Sequence, residues 1–299
     1  MTMPFYVAPE QVMKDRAEYA QKGIARGRSL VATTYADGVL IVAENPSRSL
    51  HKISEIYDRI AFAGVGKYNE YDQLRVAGVR HADTKGFAFS REDVDARSLA
   101  NLYAQFLGNV FTHEMKPLEV EILVAELGTD YRPDQLYHIA YEGTITDEDR
   151  FAVLGGDAQT ISERVSASWR EGWDLAEALK AAVRALAGGR SLGPGDLEVA
   201  ALSRHNGRRA FRRISDGELA RLLGEPPALG SDPDGDTGDS AEGEGGATRA
   251  AGAEQAGSRA GASPGAAGRA AGDEGGQDPT RRRAAGGGGA GGRLPREGD

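Results

Sequence analysis

The chain has 299 residues, no cysteine and a formal net charge of −9. Without cysteine it can form no disulfide, thiolate metal site or cysteine nucleophile, which fits a reducing compartment. The negative balance argues against a nucleic-acid surface. No stretch approaches the roughly 18 apolar residues of a membrane span, and the opening MTMPFYVAPEQ lacks a basic segment leading into an apolar one. These features predict a soluble, cytoplasmic protein with neither membrane nor nucleic-acid partner.

Composition divides the chain. From Gly230 to Arg293 there is no Val, Ile, Leu, Met, Phe, Tyr or Trp, and the residues from 230 onward include 12 acids and 8 arginines. Such a stretch cannot bury enough apolar surface to offset the roughly 1–2 kcal/mol per residue of backbone ordering. Residues 225–299 therefore read as a disordered tail, in which Arg281-Arg282-Arg283 is a compositional triplet rather than a binding site. Residues 9–224 are long enough for one substantial core.

Residues 1–8 are uncharged, with Phe5 and Tyr6 at their centre. Pro9 and Glu10 suit the first turn of a helix spanning 9–22, with Gly23 as its stop. Val12, Met13 and Tyr19 give that helix only a thin apolar stripe, of the kind that packs on a neighbour. Strands are predicted at Leu30–Tyr35 and Val39–Glu44 around Asp37-Gly38, a strong hairpin signal. The run Val39-Leu40-Ile41-Val42-Ala43 is apolar throughout, so both faces of that strand should be covered. A second strand pair follows at Leu50–Ile56 and Arg59–Gly64. Helices are predicted over 67–82 and over a segment carrying Leu99, Tyr103, Phe106, Leu107 and Val110, which Lys116-Pro117 ends. Strands return at Val120–Leu127, Gln135–Tyr141 and Phe151–Leu154, and Asp147-Glu148-Asp149 reads as a solvated turn. Helices at 158–171 and 174–187, strands at Leu197–Ser203 and Arg209–Ile214, and a helix at Asp216–Leu223 complete the body. Paired strands separated by paired helices predict an α+β fold, a four-layer α-β-β-α sandwich of two antiparallel sheets.

Two motifs fail on context. Gly64-Val65-Gly66-Lys67 lacks the first Gly and the Ser/Thr of a phosphate loop, since Ala61 and Tyr68 occupy those places. Gly189-Arg190-Ser191-Leu192-Gly193 matches G-x-S-x-G, but a helix precedes it and a strand follows, the reverse of a nucleophile elbow. The five histidines at 51, 81, 113, 138 and 205 show no metal-ligand spacing, so no metal or other cofactor is predicted.

Several long segments carry a resemblance: PFYVAPEQVMKDRAEYAQKGIARGRS, YADGVLIVAENPSRSLHKISEIYDRIAFAGVGKYNEYDQLR, ADTKGFAF, LANLYAQFLGNVFT, KPLEVEILVAELG, LEVAALS and RRAFRRI. Over residues 4 to about 224 the chain resembles 20S proteasome subunits of the N-terminal-nucleophile hydrolase fold, and specifically the actinobacterial α type. Catalytic members of that family use a threonine freed at the N-terminus after a Gly, activated by its own amine, an acid and a lysine. Aligned by strand register, those positions fall on Arg28 after Gly27, on Glu44 and on Lys52. Arginine offers no nucleophilic oxygen and stays protonated, and Ser29 has its backbone nitrogen in a peptide bond. The resemblance therefore implies a non-catalytic subunit. The competing reading, an active threonine peptidase of the β or two-ring type, requires self-processing to a mature terminus such as Ser29.

Further implications belong to the resemblance alone. Seven copies would form each outer ring of an α7β7β7α7 barrel, on β subunits that carry the peptidase sites. Thr2, Met3, Pro4, Phe5, Tyr6, Val7 and Ala8 would form the gate over the pore, although the archaeal Tyr-Asp-Arg gate motif is absent. Lys52 would pair with the C-terminal carboxylate of a hexameric ring ATPase in a pocket between subunits, with Gly27 as the small residue admitting that tail. Such an ATPase delivers proteins tagged with a small ubiquitin-like modifier.

Overall fold

The structure, a computed structural model, describes residues 8–129 and 131–224. The gate positions Thr2 to Val7 and the 225–299 tail lie outside the described residues; Ala8 is exposed, immediately before the first helix.

Two antiparallel five-stranded sheets stack at the centre. The first contains β1 (Leu30–Tyr35), β2 (Gly38–Glu44), β8 (Phe151–Leu154), β9 (Leu197–Ser203) and β10 (Phe211–Arg213), in the order β10-β9-β2-β1-β8. The second runs β3 (Ile53–Tyr57), β4 (Ile60–Gly66), β5 (Val120–Glu126), β6 (Gln135–Ile139) and β7 (Ile145–Glu148), in that order. Helices α2 (Tyr68–Ala88) and α3 (Ala96–His113) cover the outer face of the second sheet, while α4 (Ala158–Ser168), α5 (Leu175–Ala187) and α6 (Asp216–Leu223) cover the first.

Strand alternation sorts the side chains into layers. From β2, Val39, Ile41 and Ala43 join Ala61, Ala63, Leu123 and Leu136 between the sheets, whereas Leu40 and Val42 face Leu179, Ala182 and Leu186 of α5. Both faces of β2 are thus covered and all seven of its residues are buried, as its uninterrupted apolar run requires. The outer face of β4 and β5 places Phe62, Ile122 and Val124 against Leu74, Leu99, Tyr103 and Leu107. Burying such side chains contributes roughly 1.5–3 kcal/mol each.

The hairpin between β1 and β2 turns on Ala36-Asp37, with Tyr35 opposite Gly38. Gly38 opens β2 at φ 141°, and a Cβ there would stand 2.2 Å from the Leu202 carbonyl oxygen of β9. The glycine serves strand packing as well as the turn.

Some boundaries differ from the sequence expectation. The first helix, α1 (Pro9–Ala25), runs through Gly23, which lies against Glu119, whose Oε2 would be 2.1 Å from an added Cβ. Close packing, not termination, explains that glycine. Helix α2 extends to Ala88 and α4 stops at Ser168, short of 171. Asp147 and Glu148 belong to β7, paired with Tyr137 and Leu136, so only Asp149 of that acidic triplet lies in a turn. The edge position of β7 leaves one side of the strand open, which tolerates charged residues.

Helix α1 lies across one end of the sandwich. Ala20 and Ile24 enter the inter-sheet core with Ala17 and Phe111 packed alongside. Gln21 Nε2 donates to the Tyr141 hydroxyl at 3.1 Å. Val12, Met13 and Tyr19 are exposed.

Candidate functional site

The end of the sandwich beside α1 gathers Arg28, Glu44 and Lys52, which stand 16 and 24 residues apart from Arg28 in sequence. The chain leaves α1 through a turn in which the Gly27 N–H donates to the Ile24 carbonyl at 2.8 Å. The Ser29 carbonyl then accepts the Glu44 N–H at 3.1 Å, bringing the approach to β1 alongside the end of β2.

Glu44 is the anchor of the group. It is only 6% exposed, and it accepts Arg28 Nη1 at 3.1 Å and Arg190 Nη1 and Nη2 at 3.0 and 2.8 Å. A carboxylate this buried needs such partners. The Arg190 hydrogen bonds above all hold its pKa below the usual carboxylate value, with the Arg28 and Lys52 charges adding to them. Arg190 comes from the loop after α5, within the G-x-S-x-G match. Ser191 beside it is exposed, and Gly188, at φ 56°, ends α5 in the left-handed conformation.

Lys52 is half-buried before β3, and its Nζ donates to the main-chain carbonyl of Arg28. Burial pushes its pKa from 10.5 down to about 8; Glu198 and Glu44 oppose that shift and Arg28 reinforces it. The three positions that the resemblance aligns with a catalytic apparatus therefore hold one another: guanidinium on carboxylate, ammonium on carbonyl. Arg28 supplies no nucleophilic oxygen.

Glu198 of β9 was not singled out in the sequence. Its carboxylate accepts the Lys52 N–H at 2.8 Å, the Ile53 N–H at 3.2 Å and Asn45 Nδ2 at 2.8 Å. Arg213 and His51 also approach it. The only signal available was an acidic residue within a short apolar strand, which does not reveal a partner almost 150 residues away.

Gly27 has a local reason for being glycine. A Cβ there would lie 2.9 Å from the Gly66 nitrogen and 3.1 Å from Val65 Cγ1, so the missing side chain makes room for the end of β4. Gly27, Arg28 and Glu44 also line a cleft of about 550 Å³ against α4 and α5, together with Thr160, Arg164 and Arg190. Lys52 is not among its lining residues.

The phosphate-loop fragment is a tight strand-to-helix turn. Gly66 has φ 102°, and Lys67, the residue before α2, pairs with Glu70 at 3.2 Å. Among the described residues no group of three or more metal-ligand side chains converges, and no helix is long and apolar enough to cross a membrane.

The family model described as Proteasome subunit matches residues 24–200, more than half of the chain. The chain belongs to the proteasome subunit family. It is 64% identical over 228 residues to the Proteasome subunit alpha of Acidimicrobium ferrooxidans, covering 76% of this chain and 98% of that protein. Proteins of the same name from Sanguibacter keddieii and Saccharopolyspora erythraea are each 54% identical. The first match covers 80% of this chain and 95% of the relative, the second 80% and 96%. Within the proteasome family the similarity is thus to the α type of actinobacterial kind. The two stacked antiparallel sheets with helices on both outer faces agree with that fold.

Proposed function

We propose that this chain is a non-catalytic α-ring subunit of a cytoplasmic 20S proteasome core. Seven copies form each outer ring of an α7β7β7α7 barrel, admit substrate through a gate built from residues 2–8, and dock a hexameric ring ATPase through its C-termini. The observation that carries the reading is the occupation of the catalytic positions. By the resemblance Arg28 falls at the nucleophile's position; its guanidinium engages Glu44, and its carbonyl takes the Lys52 ammonium. Helix α1 precedes it, with Ala20 and Ile24 packed into the core. No free amine is available at position 28 to act as a base.

Exposed apolar side chains support a role in assembly. Phe87 is 93% and Phe89 78% exposed at the end of α2, and Phe106 on α3 is also exposed. Val12, Met13 and Tyr19 expose a second set on α1. Groups of this kind mark surfaces that neighbours cover. Lys52 offers a compact ammonium of the sort that binds a terminal carboxylate.

Co-expression with the β partner tests the proposal through particle imaging and peptidase assays. Deleting residues 2–8 should raise peptide hydrolysis by the assembled particle, and an unchanged rate refutes the gate. Lys52→Ala should leave assembly intact and weaken ATPase-stimulated degradation at least tenfold, the consequence of losing about 1.4 kcal/mol or more of charge-assisted binding. Unaltered stimulation refutes the docking role.

A further inference from the structure

We infer that Glu198 is the positioning residue for Lys52, fixing its backbone from the opposite sheet and keeping its ammonium available for a carboxylate ligand. The inference rests on the docking role proposed above and names a residue on which that role depends.

The geometry begins with the crossing from β2 to β3, which carries the chain from one sheet to the other between Asn45 and Lys52. β3 is an edge strand of the second sheet, so the N–H groups at its start on the open side have no neighbouring strand to accept them. Glu198 reaches across from β9 of the first sheet and accepts the N–H groups of both Lys52 and Ile53. Its third donor, Asn45 Nδ2, also donates to the Leu50 carbonyl at 2.8 Å, while Asn45 Oδ1 accepts the Ser47 N–H at 3.1 Å. One carboxylate and one amide thereby tie both ends of the crossing together. On its other side the Lys52 carbonyl accepts the Gly64 N–H of β4 at 3.0 Å. The Lys52 backbone is consequently held from both sheets at once.

The same carboxylate acts on the side chain. The charges facing Lys52 are Glu198 from β9, Glu44 from β2 and Arg28 from the approach to β1. Behind Glu198 stand Arg213 of β10 and His51, and behind Glu44 stands Arg190. Burial and Arg28 disfavour the ammonium, and the two carboxylates favour it. Glu44 already has two guanidinium partners. Glu198 combines a carboxylate shared with one guanidinium, that of Arg213, with direct contact to the Lys52 main chain, so its loss should displace and discharge the lysine together.

Glu198→Gln and Glu198→Asp test this in the assembled αβ particle. Three readouts are needed: the pH profile of Lys52 acylation by an amine-reactive reagent, amide exchange of the segment 50–56, and binding of a synthetic peptide bearing the ATPase C-terminus. The same peptide with an amidated end is the control. Glu198→Gln should acylate Lys52 roughly threefold faster at pH 7 through a lowered pKa, accelerate exchange at 52 and 53, and weaken carboxylate-dependent binding roughly tenfold. Glu198→Asp retains the charge on a shorter arm, so its exchange should rise while its acylation profile stays near the parent's. A parental profile and parental exchange in Glu198→Gln overturn the inference whatever the binding result. Should that variant not form particles, parental exchange in Glu198→Asp overturns it. Lys52→Ala is the separate control: if it binds the peptide as the parent does, docking is refuted, while the acylation and exchange results still decide whether Glu198 positions Lys52.

Discussion

A lysine kept partly out of water should cost stability, and Lys52→Met measures that cost. Burial lowers the Lys52 pKa from 10.5 to about 8, and at about 1.4 kcal/mol per pH unit the charged form bears about 3 kcal/mol of unfavourable free energy at neutral pH. Methionine removes that penalty and forfeits the hydrogen bond to the Arg28 carbonyl, worth about 1 kcal/mol. Residual solvent exposure trims the difference further. The expected gain is about 1 kcal/mol, or a melting point higher by about 2–4 °C for a domain of this size. The pH dependence gives the prediction its sign. A cation whose folded pKa lies below its unfolded value destabilises the fold fully below the folded pKa, and the penalty fades as pH rises toward the unfolded one. The stabilisation should therefore be largest at pH 7 and nearly gone at pH 10. Calorimetric melting of the isolated subunit across that range is the assay. A lower melting point at pH 7, or an equal gain at pH 10, refutes the reasoning.

Two further predictions concern the frame around the site. Gly38→Ala should destabilise the chain by about 2 kcal/mol or more, because an alanine at φ 141° is strained and its Cβ meets the Leu202 carbonyl; denaturant titration reads this directly, and a change under 0.5 kcal/mol contradicts it. Glu44 has a depressed folded pKa, so the stability it contributes is present above its unfolded value and lost as pH falls through the folded one. Glu44→Gln should lower the melting point at pH 7 and flatten its fall below pH 4.5, whereas parallel acid profiles for parent and variant would exclude the Arg190 and Arg28 pairs as its source.

Periodicity and turn chemistry made the layers legible because they are local. The apolar run in β2, the 3–4 spacing of α3 and the Ala36-Asp37-Gly38 turn each report their surroundings within a few residues. The boundaries that shifted depended on distant contacts. Gly23 resembles a helix stop until Glu119 is seen against it, and Asp147-Glu148 resembles a turn until β6 is placed beside it. The site divides in the same way. Arg28, Glu44 and Lys52 could be grouped because the resemblance supplied their register, but that register named only the positions of a catalytic mechanism. Glu198 and Arg190 hold no such position. They became partners because two sheets and the end of α5 meet at one end of the sandwich. A fold that keeps buried charges at this end must neutralise each of them. Arg28 and Arg190 do so for Glu44, and Arg213 contributes for Glu198, leaving Lys52 as the cation directed at a main-chain carbonyl rather than at a carboxylate. That difference in partner supports the proposed docking of a carboxylate at Lys52, a role that the resemblance implies.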